Sequence, residues 1–344
     1  MPEQSEVLDD AMEVLCDTGP EFGPGLSNHG PMAAEALYTL GRSDDVVPWV
    51  VGYKRNLQDA PTPANPIAKD GWQEALGDIK RVADWTVFFE RELAEASWQQ
   101  TVNTWTARFA PGMVSAATHG VIRTAHAVRN LGRHESAARL RELAEGFAYW
   151  AARYLAVPGM PNNSGKLMPS NAISEVQTQS LEDQHQLGLI THRLRRLDDE
   201  SFGGVINLVD TSDRDAFLSD MAETFARAYL ANVNDANAIG LIHCVTGPSA
   251  VRLLLPYLTP EVADAACAHA WQAGAAIYAA FGQVPDPDSI PAITNVREDI
   301  IDHAVATQDE HAIKFTEACL REHDLNRSNV FLAAAVDASQ RLRD

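Results

Sequence analysis

Apolar residues recur three and four positions apart through most of the chain, and Ala, Leu, Glu and Arg are common between them. This spacing places apolar side chains on one side of an α-helix, and these residue types favour helix. The alternation of apolar and polar residues that is typical of strands is almost absent. The pattern therefore predicts an all-α protein with helices at 5–16, 31–41, 43–56, 78–97, 99–109, 112–131, 134–156, 180–198, 213–231, 235–246, 248–257, 260–281, 294–306, 308–323 and 328–342.

Three stretches interrupt the helical pattern, at 58–71, 157–171 and 282–292, and each is dense in Pro, Gly, Asn or Asp. This composition predicts loops. Loops of this length among helices can act as lids over a substrate, although a surface excursion without a role is the ordinary expectation. Composition does not change across the middle stretch, and no repeat of fixed period is visible. We therefore predict one helical domain over residues 1–344, with a site enclosed between helices.

Composition and charge exclude several classes of partner. The hydrophobic fraction of 46% is that of an ordinary globular protein with a sizeable core. The net charge of -20, from 47 acidic and 27 basic residues, would repel nucleic acid and anionic membrane surfaces. The acidic first twenty residues do not resemble a signal peptide, and no segment is predicted to span a membrane. Four widely spaced cysteines favour reduced thiols in a cytoplasmic protein.

Two histidines in the predicted helix 112–131 are the first candidates for chemistry. His119 and His126 lie seven residues apart, which is two helical turns, so one face carries both imidazoles. A single histidine on a helix is more often hydrogen-bonded than metal-bound, but two on one face make a functional role about equally plausible. Gly120 beside His119 costs about 1 kcal/mol of helix stability against Ala. Such a glycine is tolerated where another segment must approach the backbone closely.

His29 and His243 lie near predicted helix ends. His29 precedes Gly30 and Pro31, and proline at the first helical position favours helix initiation, so His29 stands at a helix entrance. It either points at a site or is exposed in a loop. His243 lies in a strongly apolar run just before Pro248, which should end one helix and begin the next. A buried imidazole there needs a partner, either a metal ion or a backbone carbonyl.

His311 and Lys314 form the most informative pair. Thr307 and Glu310 match the S/T-x-x-E capping box, which predicts a helix that starts at Gln308. His311 and Lys314 then share one face of its first two turns, and this face looks inward. Burial would depress the pKa of the lysine and turn it into a nucleophile or into a group that captures CO2 as a carbamate. The alternative is a surface histidine and a lysine that reaches solvent.

The segments SNHGPMAAEALYTLG, ATHGVIRTAHAVR, LIHCVTGPSAVRLLLPYL and DEHAIKFTEACLRE, which span residues 27–322, together resemble the questin oxidase family of aromatic-polyketide oxygenases. Each segment is a weak pattern by itself, but their order and spacing are specific. The resemblance implies oxidation of a quinone or anthrone ring in a Baeyer-Villiger-like or ring-cleaving manner. The implied partners are a small aromatic substrate and O2.

The resemblance also implies an iron site in at least some members, held by four histidines and a carboxylated lysine. The matching positions are His29, His119, His243 and His311, with Lys314 as the carbamate, and His311 and Lys314 are the catalytic candidates. His126 and His303 match less securely, as alternate ligands or as supporting residues. Imidazole nitrogens with one carboxylate-like oxygen suit Fe(II) better than magnesium or calcium.

Two other hypotheses remain open. The first is a metal-free or NADPH-assisted Baeyer-Villiger oxidase, although no G-x-G-x-x-G follows a predicted strand, so a nicotinamide or flavin domain is not expected. The second is a non-catalytic helical protein that binds a polyketide. The sequence leaves room for a homodimer in either case.

Overall fold

Helices make up most of the chain in the computed structural model, which describes residues 3–162, 164–180 and 188–343. Contacts divide the chain into two compact units, Met1–Leu155 with Leu253–Thr259, and Ala156–Arg252 with Pro260–Asp344. In the part that is described, the only sheet pairs β1 (Glu21–Phe22) with β2 (Leu26–Ser27). The predicted all-α class is therefore confirmed, whereas the single domain stays a prediction.

The first unit contains seven helices within the described residues, and α7 packs against both α4 and α6, while α2 packs against α3 and α6. The helices are α1 (Glu3–Leu15), α2 (Gly30–Thr39), α3 (Ser43–Lys54), α4 (Val82–Glu95), α5 (Trp98–Phe109), α6 (His119–Arg133) and α7 (Ala137–Ala152). Aromatic rings from α4, α5 and α7 fill the centre, where Phe89 lies 4.9 Å from Trp105 and 5.1 Å from Phe147 between ring centroids. These aromatic residues form core packing instead of lining an open pocket.

The second unit is built around a long alanine-rich helix. Its helices are α8 (Pro169–Ala172), α9 (Ile190–Leu194), α10 (Asp199–Phe202), α11 (Arg214–Asn232), α12 (Ala238–Leu254), α13 (Pro260–Phe281), α14 (Arg297–Ala306), α15 (Glu310–Asn326) and α16 (Asn329–Arg341). Gly274 of α13 is required by close packing, because a Cβ there would lie 2.2 Å from the ring of Phe225. Trp271 stacks on the same ring, with centroids 5.6 Å apart. The small residues of α13 thus bring α11 close.

One predicted helix break is wrong. The predicted helices 235–246 and 248–257 form the single helix α12, and Pro248 lies inside it. Proline lacks the N–H that would bond four residues back, but Gly247 before it has no Cβ to clash with the proline ring. Burial of this apolar run offsets the lost hydrogen bond, because both sides of Pro248 are buried.

The continuous run also changes the prediction about membrane spans. Ala238–Tyr257 is the one segment among the described residues that is long and apolar enough to cross a membrane. The sequence pattern predicts no segment of that length. Since 78% of its apolar window is buried inside the protein, it is weak support for a span. A cytoplasmic location stays a prediction.

Other helix boundaries also differ from the prediction. The helix predicted at 112–131 begins only at His119, and the one predicted at 78–97 becomes a 3-10 turn, Ile79–Arg81, followed by α4. Of the helix predicted at 180–198, residues 181–187 lie outside the described residues, and the rest contributes only α9. The three interrupted stretches are largely loops, as predicted, although α8 begins within the second.

The loop at 58–71 is tied to α4. The Asp84 carboxylate accepts hydrogen bonds from the backbone N–H groups of Ala64 and Asn65, at 2.7 and 2.8 Å. Arg91 donates to the carbonyl of Ile67 at 2.9 Å. The role of the three loops as lids stays a prediction.

Candidate functional site

His29 of the first unit occupies the N-cap position of α2, as its place before Gly30 and Pro31 predicts. Its backbone N–H donates to the hydroxyl of Tyr53 at 3.0 Å, and the side chain of Asn28 accepts from the N–H of Gly30. Asn28 therefore accepts from a free N–H group at the start of the helix, so the His29 side chain is not needed for capping. The residue is buried.

His119 is the first residue of α6 and follows an unusual turn. Ala116, Ala117 and Thr118 all have positive φ, at 50°, 55° and 70°. Left-handed backbone costs roughly 1–2 kcal/mol per residue when a Cβ is present, so three in succession are a costly feature. The turn directs the carbonyl of Ala116 at Nδ1 of His119, at 2.5 Å. Sequence patterns do not predict this turn, because none of its residues is glycine.

The two histidines of the first unit lie side by side. Their Nε2 atoms are 2.7 Å apart, and the rings meet edge to face with centroids 4.6 Å apart. Because Nδ1 of His119 donates to a backbone carbonyl, its Nε2 carries the lone pair. A histidine oriented in this way is typical of metal ligands.

Gly120 explains how the second histidine of this pair is brought into place. A Cβ on Gly120 would lie 2.8 Å from the Cα of Trp150 on α7. The close approach that the glycine predicted from sequence is therefore present, and the neighbouring segment is the backbone of α7. This contact fixes the first turn of α6 and with it the position of His119.

His243 of the second unit lies in the middle of α12 and is 1% exposed. Its Nδ1 donates to the carbonyl of Ile239 at 2.6 Å, so Nε2 again carries the lone pair. Burial, together with the nearby His311 and Lys314, lowers the pKa of His243 well below its ordinary value. This imidazole is therefore neutral near pH 7. The structure provides the backbone carbonyl that the sequence offered as one of two partners.

His311 is buried at the start of α15, next to His243. Their ring centroids are 5.5 Å apart, and one ring nitrogen of each lies within 4.8 Å of the other. The predicted capping box is wrong: Asp309 is the N-cap and accepts from the N–H groups of His311 and Ala312. Aspartate is as good a cap as threonine and stands nearer to the first helical turn.

Lys314 lies one turn further along α15 and is 3% exposed, so its inward orientation is as the spacing predicts. Burial lowers its pKa to about 7, although the charges of Glu310 and Asp309 act in the opposite direction. A substantial fraction of the amine is therefore neutral near pH 7. A neutral amine is the form that reacts with CO2.

Two carboxylates near His311 were not predicted as site residues. Asp309 and Glu310 each place an oxygen 3.7 Å from Nδ1 of His311. The three residues form a buried to half-buried group whose donor atoms lie within 4.8 Å of one another. The sequence DEH was visible, but only the fold of the helix start turns both carboxylates toward the ring. An acidic oxygen donor is thus present beside Lys314.

The remaining two candidates have different surroundings. His126 is buried, and its Nδ1 lies 2.6 Å from Oε2 of Glu35. His303 is exposed on α14. Their roles as ligands or supporting residues stay predictions, and Glu35 is a further residue that sequence patterns did not single out.

Each unit, considered by itself, contributes donor atoms of the kinds that bind metal ions. The first unit buries two imidazoles with adjoining Nε2 atoms, and the second buries two imidazoles beside an amine of lowered pKa and two carboxylates. Neutral imidazole and oxygen donors suit divalent iron and its neighbours in the first transition row.

Comparison with protein families gives one match. A family model described as Questin oxidase-like matches residues 26–319, which is most of the chain and includes parts of both units. The matched range includes Lys314 and the histidine pairs of both units, His29 with His119 and His243 with His311. The chain matches none of the curated proteins with which it was compared.

Proposed function

Because the chain belongs to the Questin oxidase-like family, we propose that it is an oxygenase that uses O2 to insert oxygen into, and open, a ring of an aromatic polyketide quinone or hydroquinone. The family suggests an oxidoreductase, specifically an oxygenase on polyketide substrates. The observation that carries the proposal is the burial, in both units, of imidazoles whose Nδ1 donates to a backbone carbonyl.

We propose further that one Fe(II) ion is held jointly by His29 and His119 of the first unit and by His243 and His311 of the second. The family match supports this joint role because it runs through both units. When bound, iron supplies the one-electron chemistry that allows O2 to react with a closed-shell aromatic compound. The protein contributes imidazole nitrogen donors, and the imidazole of His243 is neutral near pH 7 because burial lowers its pKa.

Lys314 is proposed to supply the oxygen donor as a carbamate. The lone pair of its neutral amine attacks the carbon of CO2, a C–N bond forms, one C=O π bond opens, and the nitrogen proton leaves to solvent. The lowered pKa of Lys314 supports this step because the reactive form is abundant near pH 7. The Glu310 carboxylate is the competing oxygen donor, since it already stands near His311.

The burial of the four histidines also favours the proposed reaction. His29, His119, His243 and His311 are each at most 7% exposed, so bulk water reaches them little. Exclusion of water strengthens electrostatic interactions with a bound substrate and limits side reactions of activated oxygen. The partners proposed are thus a small aromatic molecule and O2.

Metal analysis of the purified wild-type chain, with O2 uptake on a panel of hydroquinones, tests the proposal. His311→Ala should lose both the metal and O2 uptake, whereas His134→Ala, which changes an exposed histidine, should keep both. Lys314→Ala should lose activity, with partial rescue by added formate or acetate if a carbamate is the missing oxygen donor. Glu310→Gln should then have a smaller effect than Lys314→Ala.

The alternatives give different results. A metal-free or NADPH-assisted oxidase would turn over without iron, and His311→Ala would leave the metal content unchanged. A binding protein would retain a polyketide without O2 uptake, and Lys314→Ala would affect only its stability. A larger loss of iron with Glu310→Gln than with Lys314→Ala would replace the carbamate with the glutamate.

A further inference from the structure

A buried carboxylate joins the two helices that carry the histidines of the first unit. Glu35 on α2 is 1% exposed, and its oxygens accept from Nδ1 of His126 at 2.6 Å and from Nε of Arg129 at 2.8 Å. Nη1 of Arg133 and Nη2 of Arg129 donate to the same carboxylate. Thr39 adds a hydroxyl donor at 3.0 Å. We call Glu35, His126, Arg129 and Arg133 the α2–α6 clamp.

The clamp and the histidine pair lie on the same two helices. His126, Arg129 and Arg133 follow one face of α6, and His119 lies seven residues before His126, two turns along that face. His29 caps the start of α2, which also carries Glu35. A rotation or slide of α6 against α2 that broke the clamp would therefore also separate His119 from His29.

The rest of the contact face of α2 gives little directional control. Its buried residues are mostly small or apolar: Gly30, Met32, Ala33, Ala34, Ala36 and Leu37. Apolar contacts are not directional, so small side chains alone allow helices to shift at modest cost. A carboxylate that accepts from three side chains of the neighbouring helix fixes both register and rotation.

The charge of Glu35 is stabilised despite its burial. Burial would raise the pKa of Glu35, but Arg129, His126 and Arg133 lower it well below its ordinary value. Arg133 is also held by the ring of Tyr38, with its guanidinium carbon 5.3 Å from the ring centroid. The carboxylate therefore stays ionised over the whole neutral range.

We infer that Glu35 is a positioning residue, which through His126 holds α2 and α6 in the register that brings Nε2 of His29 and Nε2 of His119 together to receive a metal ion. This role rests on the proposed function. It assigns His126 to the support of the site and not to metal binding.

Cobalt titration of the full-length chain tests the inference, with Co²⁺ as the probe and its visible absorption as the signature of the donor set. Glu35→Gln should weaken Co²⁺ binding by about 10–100-fold, as is typical when a residue that orients a ligand is lost. The matched control is Glu142→Gln. Glu142 is also buried and accepts two hydrogen bonds from Arg123 of α6, but it lies on α7 and does not join α2. Both variants should unfold at lower temperature, and only Glu35→Gln should bind cobalt more weakly.

A variant of His126 separates support from ligation. His126→Asn retains an N–H donor toward Glu35 and should keep the cobalt spectrum, with affinity within a few-fold of wild type. Loss of cobalt binding in His126→Asn, with a changed spectrum, would make His126 a ligand and overturn the inference. Equal cobalt affinity of Glu35→Gln and wild type would also overturn it.

The design keeps the inference distinct from the proposed function. If wild type binds no metal, the proposed function fails, and imidazole ¹⁵N shifts of the metal-free chain still test the clamp. Glu35→Gln should then change the ¹⁵N chemical shifts of the His29 and His119 rings, whereas Glu142→Gln should not. Unchanged chemical shifts in Glu35→Gln would refute the clamp. If Glu35→Gln does not fold, Arg133→Gln removes one donor at a more exposed position and should give a smaller change in the same direction.

Discussion

Glu35 in the first unit and Lys314 in the second are both buried ionisable groups, but their surroundings have opposite effects on their charge. Glu35 accepts from His126, Arg129 and Arg133, and its pKa is lowered, so it stays charged. Burial lowers the pKa of Lys314 to about 7, and in the part of the chain that is described no salt bridge reaches its amine. Lys314 therefore loses its charge near neutral pH.

The difference separates structural from chemical use of a buried charge. A charge that is matched by partners holds helices in place, and removing one partner leaves the others uncompensated. An amine without a matched partner destabilises the fold while charged and is reactive while neutral. Glu35 thus has the surroundings of a positioning residue, and Lys314 has those of a reactive one. The predictions below test this contrast.

The largest effect is expected at Glu35. Glu35→Gln removes the charge opposite two arginines and should lower the free energy of unfolding by about 3 kcal/mol, at the low end for a broken buried pair because Arg133 is partly exposed. Chemical denaturation of the metal-free chain at pH 7 measures it. A change below 1 kcal/mol would mean that water solvates the two arginines in the variant and that the clamp contributes little to the free energy of unfolding.

Removing the charge of Lys314 should raise the free energy of unfolding, whereas removing that of Glu35 should lower it. In the unfolded chain the lysine pKa is near its ordinary 10.5, and in the folded chain it is about 7. Between these values the unfolded state binds more protons, so stability rises with pH. Lys314→Met should therefore stabilise the chain at pH 7, and this gain should shrink as pH rises toward 10.

Denaturation of metal-free protein in bicarbonate-free buffer at pH 7 and pH 10 checks this prediction. Lys80→Met, at an exposed lysine, is the control and should show no such dependence on pH. A destabilised Lys314→Met at both pH values would show that the amine has a stabilising partner, and the contrast with Glu35 would be lost.

The left-handed turn before His119 should give a smaller effect. Ala117→Gly removes the Cβ at φ 55° and should stabilise the chain by up to about 1 kcal/mol, because the strain relieved exceeds the added flexibility of the unfolded chain. Ala125→Gly, in the regular part of α6, should destabilise it by about 1 kcal/mol. Replacing alanine with glycine should thus raise stability at the left-handed position and lower it in the regular helix. Stability changes of the same sign at Ala117 and Ala125 would contradict the left-handed turn.

The smallest effect is expected from Glu310. Its charge raises the pKa of Lys314 against the effect of burial, so Glu310→Gln should lower that pKa further. The pH dependence of Lys314 acylation in the metal-free chain measures the pKa. Glu200→Gln, at an exposed position on α10, should leave it unchanged. An unchanged pKa would mean that the charge of Glu310 does not act on the amine.

Sequence patterns predicted the second unit's site better than the first unit's. The spacing of His311 and Lys314 and the apolar run around His243 correctly indicated inward-facing residues, because these residues lie on regular helices. His119 was expected in the middle of a helix and instead begins one. Helical periodicity cannot predict an irregular turn of alanines and threonine, since these residues carry no local signal for positive φ.

The sequence by itself determined the helical class, most helix positions, the three loops and the histidines and lysine that are proposed as the site. Tertiary structure decided that α12 continues through Pro248, that Asp309 caps α15, and that His119 follows a left-handed turn. It also decided the pairing of His126 with Glu35, which are 91 residues apart in the chain. Helix propensity and periodicity act over a few residues, whereas a costly turn or a buried charge persists only where distant segments pack around it and offset its energy.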